Sequence, residues 1–148
     1  MKQGINQNFG ENLKKLRQKQ GISQEQLARR ADLKLSNLAK LEGGFNSNPT
    51  LNSLISLAKT LTNNSLDALI KGKSGAEKKV VFDNLGARIK TLRQNKGISQ
   101  EQLARIADLK LSNLTKLEGG FNSNPTLTTL VALAKVLTES SINKLFVD

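Results

Sequence analysis

The sequence contains no cysteine, histidine, tryptophan or tyrosine. The absence of cysteine excludes disulfides, thiolate nucleophiles and zinc–thiolate sites, and the absence of histidine removes the most common general base and metal ligand. Phenylalanine is the only aromatic residue and occurs five times, so we do not expect a stacking platform for single-stranded nucleic acid. The composition therefore predicts no enzymatic activity, no metal site and no cofactor.

Acidic residues are scarce relative to basic ones. The 148 residues include 23 Lys and Arg but only 12 Asp and Glu, which gives a formal net charge of +11. Such an excess is typical of proteins that bind polyanions, and a solubilising surface is the alternative. No apolar run reaches the ~18 residues of a membrane span, and residues 1–10 do not resemble a signal peptide. We expect a soluble, cytoplasmic, nucleoid-associated protein that does not bind a membrane.

The chain contains an internal duplication. Residues 21–54 and 97–130 align at a constant offset of 76, and only four of these 34 pairs differ. Outside this block, identity falls to 6 of 13 pairs before it and 7 of 17 pairs after it. We therefore predict a first domain over residues 1–71, a linker over 72–81 and a second domain over 82–148. The four differing pairs are Arg30/Ile106, Ala39/Thr115, Asn52/Thr128 and Ser53/Thr129.

Helical patterns fill both repeats, and no alternating strand pattern occurs. Leu13 and Leu16 share one face of a first helix, which ends at Gly21. Ser23 and Gln26 have the spacing of a capping box at the start of a second helix. The sequence predicts an all-α protein of two tandem five-helix domains. The other predicted caps and stops of the first repeat are Asp32, Gly43, Gly44, Thr50 and Ser65.

The second and third predicted helices are short, and a turn of about four residues around residues 32–34 joins them, which is the spacing of a helix-turn-helix motif. The surrounding segment GISQEQLARRADLKLSNLAKLEGG, followed by NPTLNSLISLAKTLTNNSLDALI, resembles the lambda-repressor-like family. This family includes helix-turn-helix regulators of the Cro and xenobiotic-response-element type. The resemblance extends over residues 9–71 and 85–147. It implies a sequence-specific, double-stranded-DNA-binding transcriptional regulator, most often a repressor.

The resemblance also implies which residues contact DNA. The second helix would contact a phosphate with its first residue, the third would face the major groove, and the loop after it would approach the sugar–phosphate backbone. Arg17 and Glu42, and likewise Arg93 and Glu118, match a structural ion pair of the family. The residues assigned to DNA binding are Gln24, Lys34, Leu35, Ser36, Asn37, Lys40 and Asn46 in the first repeat, and Gln100, Lys110, Leu111, Ser112, Asn113, Thr115, Lys116 and Asn122 in the second.

Several of these positions have a second interpretation. Leu35 has the spacing of a core residue relative to Leu38, Ser36 and Asn37 suit helix capping or solvation, and Lys40 suits a plain surface charge. Lys34 occupies a position where many family members have a Ser or Thr cap, which weakens the cap and places a cation at the helix N-terminus. A nearby phosphate would offset that charge. We expect the aromatic rings of residues 45 and 121 to anchor the loop against the helical bundle.

Two DNA-reading helices in one chain suggest a covalent pseudo-dimer that binds two related half-sites. Recent duplication followed by uneven drift is the alternative explanation of the same repeat pattern. Residues 1–76 have a charge of 12 − 5 = +7 and residues 77–148 have 11 − 7 = +4, so we expect the first repeat to bind more tightly. Ala39 and Thr115 predict a base difference between the half-sites. Ile106, Phe146 and Val147 are expected on an inter-repeat or partner surface.

Other functions are compatible with the same fold. One is a protein-interaction adaptor, coactivator or antitoxin-type partner protein, and the near identity of the two reading helices argues against it. Another is an architectural DNA binder without sequence preference, which needs phosphate contacts only. No small-molecule ligand is expected, and self-association or a protein partner remains open at this point.

Overall fold

The computed structural model describes residues 3–45, 48–72, 82–122 and 124–146, with side chains from residue 8 onward. Within these ranges the regular structure is entirely helical, as predicted. The chain divides into two compact units, Met1–Lys79 and Val80–Asp148, and residues 73–81 of the predicted linker lie outside the described ranges. The helices are α1 (Gln3–Lys19), α2 (Gln24–Arg30), α3 (Leu35–Glu42), α4 (Leu51–Leu61), α5 (Leu66–Lys71), α6 (Leu85–Asn95), α7 (Gln100–Ile106), α8 (Leu111–Glu118), α9 (Leu127–Leu137) and a 3-10 helix (Asn143–Leu145).

The predicted helix boundaries are confirmed where a side chain caps the backbone. The Ser23 hydroxyl accepts the Gln26 N–H at 3.1 Å, and the Gln26 side chain accepts the Ser23 N–H at 2.9 Å. Ser65 similarly accepts the Ala68 N–H at the start of α5. Thr50 precedes α4, but its hydroxyl bonds Ser53 at 3.4 Å and caps no backbone N–H. The predicted side-chain cap at Thr50 is therefore wrong, because a neighbouring hydroxyl competes for the same group.

Leucines on the inner faces of the helices form the core of each unit. In the first unit, α1 packs against α3 and α5, α2 packs against α3, and α4 packs against α5. A Cβ on Gly10 would overlap the Leu41 carbonyl oxygen, and one on Gly86 would overlap that of Leu117. Glycine therefore allows α1 and α6 to lie directly on the ends of α3 and α8. The fully buried side chains of the first unit include Phe9, Leu13, Leu27, Leu38, Leu54, Leu57, Leu66 and Leu69.

The second unit ends differently from the first. Its fifth element is a single 3-10 turn where the first unit has the α-helix α5. Ile142 at its start is β-branched and a poorer helix former than its equivalent Leu66. The Ser141 hydroxyl accepts the Lys144 N–H at 3.4 Å, a longer bond than the 3.0 Å bond from the Ala68 N–H to Ser65. The Phe146 ring after the turn packs edge-on against Phe82, with ring centroids 5.2 Å apart.

This packing corrects one expectation for the second unit. Phe146 is buried, so it is a core residue and does not contribute to a partner surface. Val147, assigned to the same surface, lies outside the described residues. Ile106 is exposed, as that surface requires. None of the described helices has the length and apolar character needed to cross a bilayer, and the described residues contain no cluster of potential metal ligands.

Candidate nucleic-acid interface

Helices α2 and α3 form a helix-turn-helix, and α7 and α8 repeat it. The turn depends on Asp32, which adopts the left-handed conformation with φ of 52°. The Leu33 N–H then donates to the Ala28 carbonyl at 2.8 Å, which closes the turn. Asp108 repeats this conformation with φ of 55°. Aspartate thus serves where many turns use glycine, at the helix stop that the sequence predicted.

A buried ion pair holds α3, the predicted reading helix, against α1. Arg17 Nε lies 2.6 Å from Glu42 Oε1, and its Nη2 donates to Glu42 Oε2 at 3.0 Å. The remaining guanidinium nitrogen Nη1 donates to the Ile22 carbonyl. Hydrogen bonding to Glu42 raises the pKa of Arg17 above its ordinary value, against the opposing effect of burial. Arg93 and Glu118 make the same bidentate pair, and both pairs are structural, as the resemblance implied.

Gln24 lies at the start of α2, where the resemblance assigned a phosphate contact. Its side-chain Nε2 donates to Glu42 Oε2 at 2.8 Å, and Gln100 donates to Glu118 over the same distance. The amide nitrogen therefore joins α2 to the ion pair that fixes α3. A phosphate contact by Gln24 or Gln100 stays a prediction, and the position of the helix pair depends on these bonds in either case.

The predicted reading residues lie on the exposed side of α3 and α8. Leu35 is 42% exposed and Leu111 is 41% exposed, which contradicts the alternative that these leucines belong to the core. The Lys34 and Lys110 side chains do not cap the helices they precede. Each repeat brings six residues together on exposed surface. They are Lys34, Leu35, Ser36, Asn37, Ala39 and Lys40 in the first repeat, and Lys110, Leu111, Ser112, Asn113, Thr115 and Lys116 in the second.

The loop that follows each of α3 and α8 differs from the expectation based on the sequence. Phe45 is 88% exposed and Phe121 is 87% exposed, so the expectation that these rings anchor the loop is wrong. The two glycines before each ring form a tight turn that directs it away from the bundle. Asn122 is exposed and accepts the Asn124 N–H at 3.2 Å. Asn46, its equivalent in the first repeat, lies outside the described residues.

Comparison with known protein families agrees with this geometry. A family model described as "Helix-turn-helix domain" matches residues 10–75, and another described as "Helix-turn-helix" matches residues 89–145. The searches of curated proteins and of solved structures returned no match. Helix-turn-helix domains are characteristic of DNA-binding transcription regulators, which are generally not enzymes. The chain thus consists of two tandem helix-turn-helix domains, consistent with the lambda-repressor-like type that its sequence resembles.

Proposed function

We propose that the protein is a sequence-specific repressor that binds two related DNA half-sites as a covalent pseudo-dimer. The observation that supports this most directly is the match between the exposed residues of α3 and α8 and of the lysine before each helix, which are the same at five of six positions. Identity is also higher across the block that contains the helix-turn-helix, at 30 of 34 pairs, than before it, at 6 of 13, or after it, at 7 of 17. This is expected if both repeats bind related DNA sequences.

Each reading helix offers donors and apolar groups suited to base edges. Lysine donates to guanine O6 and N7, asparagine pairs with adenine, and leucine contacts a thymine methyl group. Lys34 and Lys110 each place a cation at the N-terminus of a helix that has no side-chain cap. DNA phosphates would offset the unfavourable interaction of this cation with the helix dipole. The protein would repress transcription by occupying promoter DNA in the cytoplasm.

Covalent linkage replaces dimerisation with an intramolecular second binding step. The ten residues 72–81 span at most ~35 Å when extended. Half-sites of this fold lie about 34 Å apart, one turn of the DNA helix. Once the first domain is bound, the second is present at a high effective concentration, which increases avidity without new contacts.

One exposed reading position differs between the repeats. The Thr115 hydroxyl donates to the Leu111 carbonyl at 2.9 Å, so that its oxygen is left as an acceptor. Amino groups of adenine or cytosine are the matching donors in the major groove. Ala39, its equivalent, has no hydroxyl. The half-sites are therefore expected to differ at the base pair that this position contacts.

A selection from a random duplex library at about 0.15 M salt tests the proposal, because salt at that level suppresses purely electrostatic binding. We expect two related half-sites and one chain per duplex by sedimentation. Lys34→Ala and Lys110→Ala should each weaken a different half-site. The matched controls are Lys59→Ala and Lys135→Ala, which remove the same charge from exposed positions of α4 and α9.

Three outcomes would contradict the proposal. Two chains per duplex would exclude the pseudo-dimer. Binding without a recovered motif would indicate an architectural DNA binder. The absence of duplex binding would favour the protein-interaction adaptor.

A further inference from the structure

The exposed rings of Phe45 and Phe121 are unlike the other phenylalanines. Phe9 is fully buried, and Phe82 packs against Phe146. The two exposed rings occupy equivalent positions in the repeats and have nearly the same exposed fraction. A ring that adds nothing to the core of either domain, but is present in both, suggests a role in binding.

The backbone fixes the place of each ring. The Phe45 N–H donates to the Lys40 carbonyl and the Gly44 N–H to the Leu41 carbonyl, with Gly44 at φ of 77°. This is the Schellman arrangement that ends a helix. The Phe121 N–H donates to the Lys116 carbonyl in the same way. The rings are therefore held at the ends of α3 and α8.

The ring extends the exposed face of the reading helix by one turn. A Cβ on Gly43 would lie 2.9 Å from Cδ2 of the Phe45 ring, so the ring fills the space of a side chain at position 43. Position 43 follows Ser36 by seven residues, Ala39 by four and Lys40 by three, which places all four on one helix face. The ring of residue 121 lies over Gly119 with the same geometry.

We propose that the rings of Phe45 and Phe121 contact thymine methyl groups in the major groove, beside the bases that α3 and α8 read. This inference rests on the proposed function. Apolar side chains, phenylalanine among them, recognise the thymine C5-methyl group. The ring continues a face that also carries Ser36 and Lys40, which suit bases and phosphates better than an apolar protein partner.

The size of the apolar surface also favours DNA over a protein partner. A phenylalanine side chain offers at most about 150–250 Å², whereas a stable protein interface buries about 800 Å² on each partner. Among the described residues of the first unit, Leu35 is the other large hydrophobic residue that is exposed. It lies at the opposite end of the same reading helix.

The test compares thymine with uracil, which lacks the methyl group, in the operator recovered by the duplex selection. We expect wild-type protein to bind roughly fivefold more weakly when uracil replaces thymine in one half-site. Phe45→Ala should bind the thymine operator roughly fivefold more weakly, with a much smaller further loss on uracil DNA. Phe45→Leu should retain part of the thymine preference. Phe121→Ala should show the same coupling at the other half-site.

Leu35→Ala provides the control. This variant should retain the part of the preference for thymine over uracil that comes from the Phe45 ring. Thermal melting should show each Phe45 variant folded like the wild type, since the ring is exposed. If Phe45→Ala and the replacement of thymine by uracil reduced the affinity independently of each other, the methyl contact would be overturned. Unchanged operator binding by Phe45→Ala, or reduced self-association in sedimentation, would also overturn it. Failure of the wild-type protein to bind any duplex would instead reject the proposed function itself.

Discussion

The two domains share their helix-turn-helix but are closed at their ends by different contacts. In the first, α1 is 17 residues long and Asn12 Nδ2 donates to the Ile70 carbonyl at 2.8 Å. In the second, α6 has 11 residues, and the Phe82 and Phe146 rings make the corresponding closure. The capping boxes, left-handed aspartates and bidentate ion pairs are the same in both. The contacts that orient α3 and α8 are thus the same in both domains, whereas the contacts that close the domain ends differ.

The largest effect is expected from removing the carboxylate of the ion pair. Glu42→Ala leaves Arg17 buried without its partner, which should lower the free energy of unfolding by about 3–5 kcal/mol. Glu118→Ala should destabilise the second domain equally. Urea unfolding of the full chain, with hydrogen exchange to identify the affected domain, measures both. Glu25→Ala and Glu101→Ala, on exposed positions of α2 and α7, are the controls and should cost less than about 1 kcal/mol. Clearly unequal losses would contradict the equivalence of the two motifs.

A smaller effect should reveal the difference between the domain ends. Phe146→Ala removes a buried ring and should cost about 3 kcal/mol in the second domain. Asn12→Ala removes one hydrogen bond and should cost about 1 kcal/mol in the first. The same exchange and unfolding measurements apply. If Asn12→Ala proved as costly as Phe146→Ala, closure of the two domains would not differ in the way the contacts indicate.

The smallest effect concerns the lysines that precede the reading helices. Lys34→Ser supplies the missing cap and removes the unfavourable cation, so it should stabilise the first domain by about 1 kcal/mol. The same change should weaken binding to its half-site, because the lysine would face DNA. Lys110→Ser should behave alike in the second domain. Melting curves and operator titrations check the two effects separately, and a stabilised variant with unchanged DNA affinity would exclude the role of this lysine in DNA binding.

Much of the fold could be predicted because its signals are local. The capping box of Ser23 and Gln26, the turn at Asp32 and the buried leucine stripes follow from residue type and helical spacing. The Arg17–Glu42 pair came from the family resemblance, since 25 positions separate the two residues. The close approach at Gly10 was missed, because a glycine within a helix does not show that a carbonyl of α3 lies against it.

The exposure of the candidate site residues could be predicted better than their hydrogen bonds and the direction of the nearby rings. The resemblance assigned α3 and α8 as the reading helices, and their exposed residues lie together as expected. The phosphate contact that it assigned to Gln24 stays a prediction, and it did not indicate the hydrogen bond from this side chain to Glu42. It did not indicate the direction of the Phe45 ring, because the paired glycines permit several turns and only the hydrogen bonds at the end of α3 select one.

The sequence by itself determined the duplication and the basic charge, because both are read directly from the residues. It also determined the all-helical character and the helix-turn-helix, because helical periodicity, caps and turns act over a few neighbouring residues. The tertiary structure decided which polar groups became internal braces, how each domain end closed and where the exposed rings point. Those outcomes depend on contacts between distant segments, in which glycine makes room and buried charges require partners. A ring predicted to lie in the bundle thereby becomes an extension of the surface proposed to contact DNA.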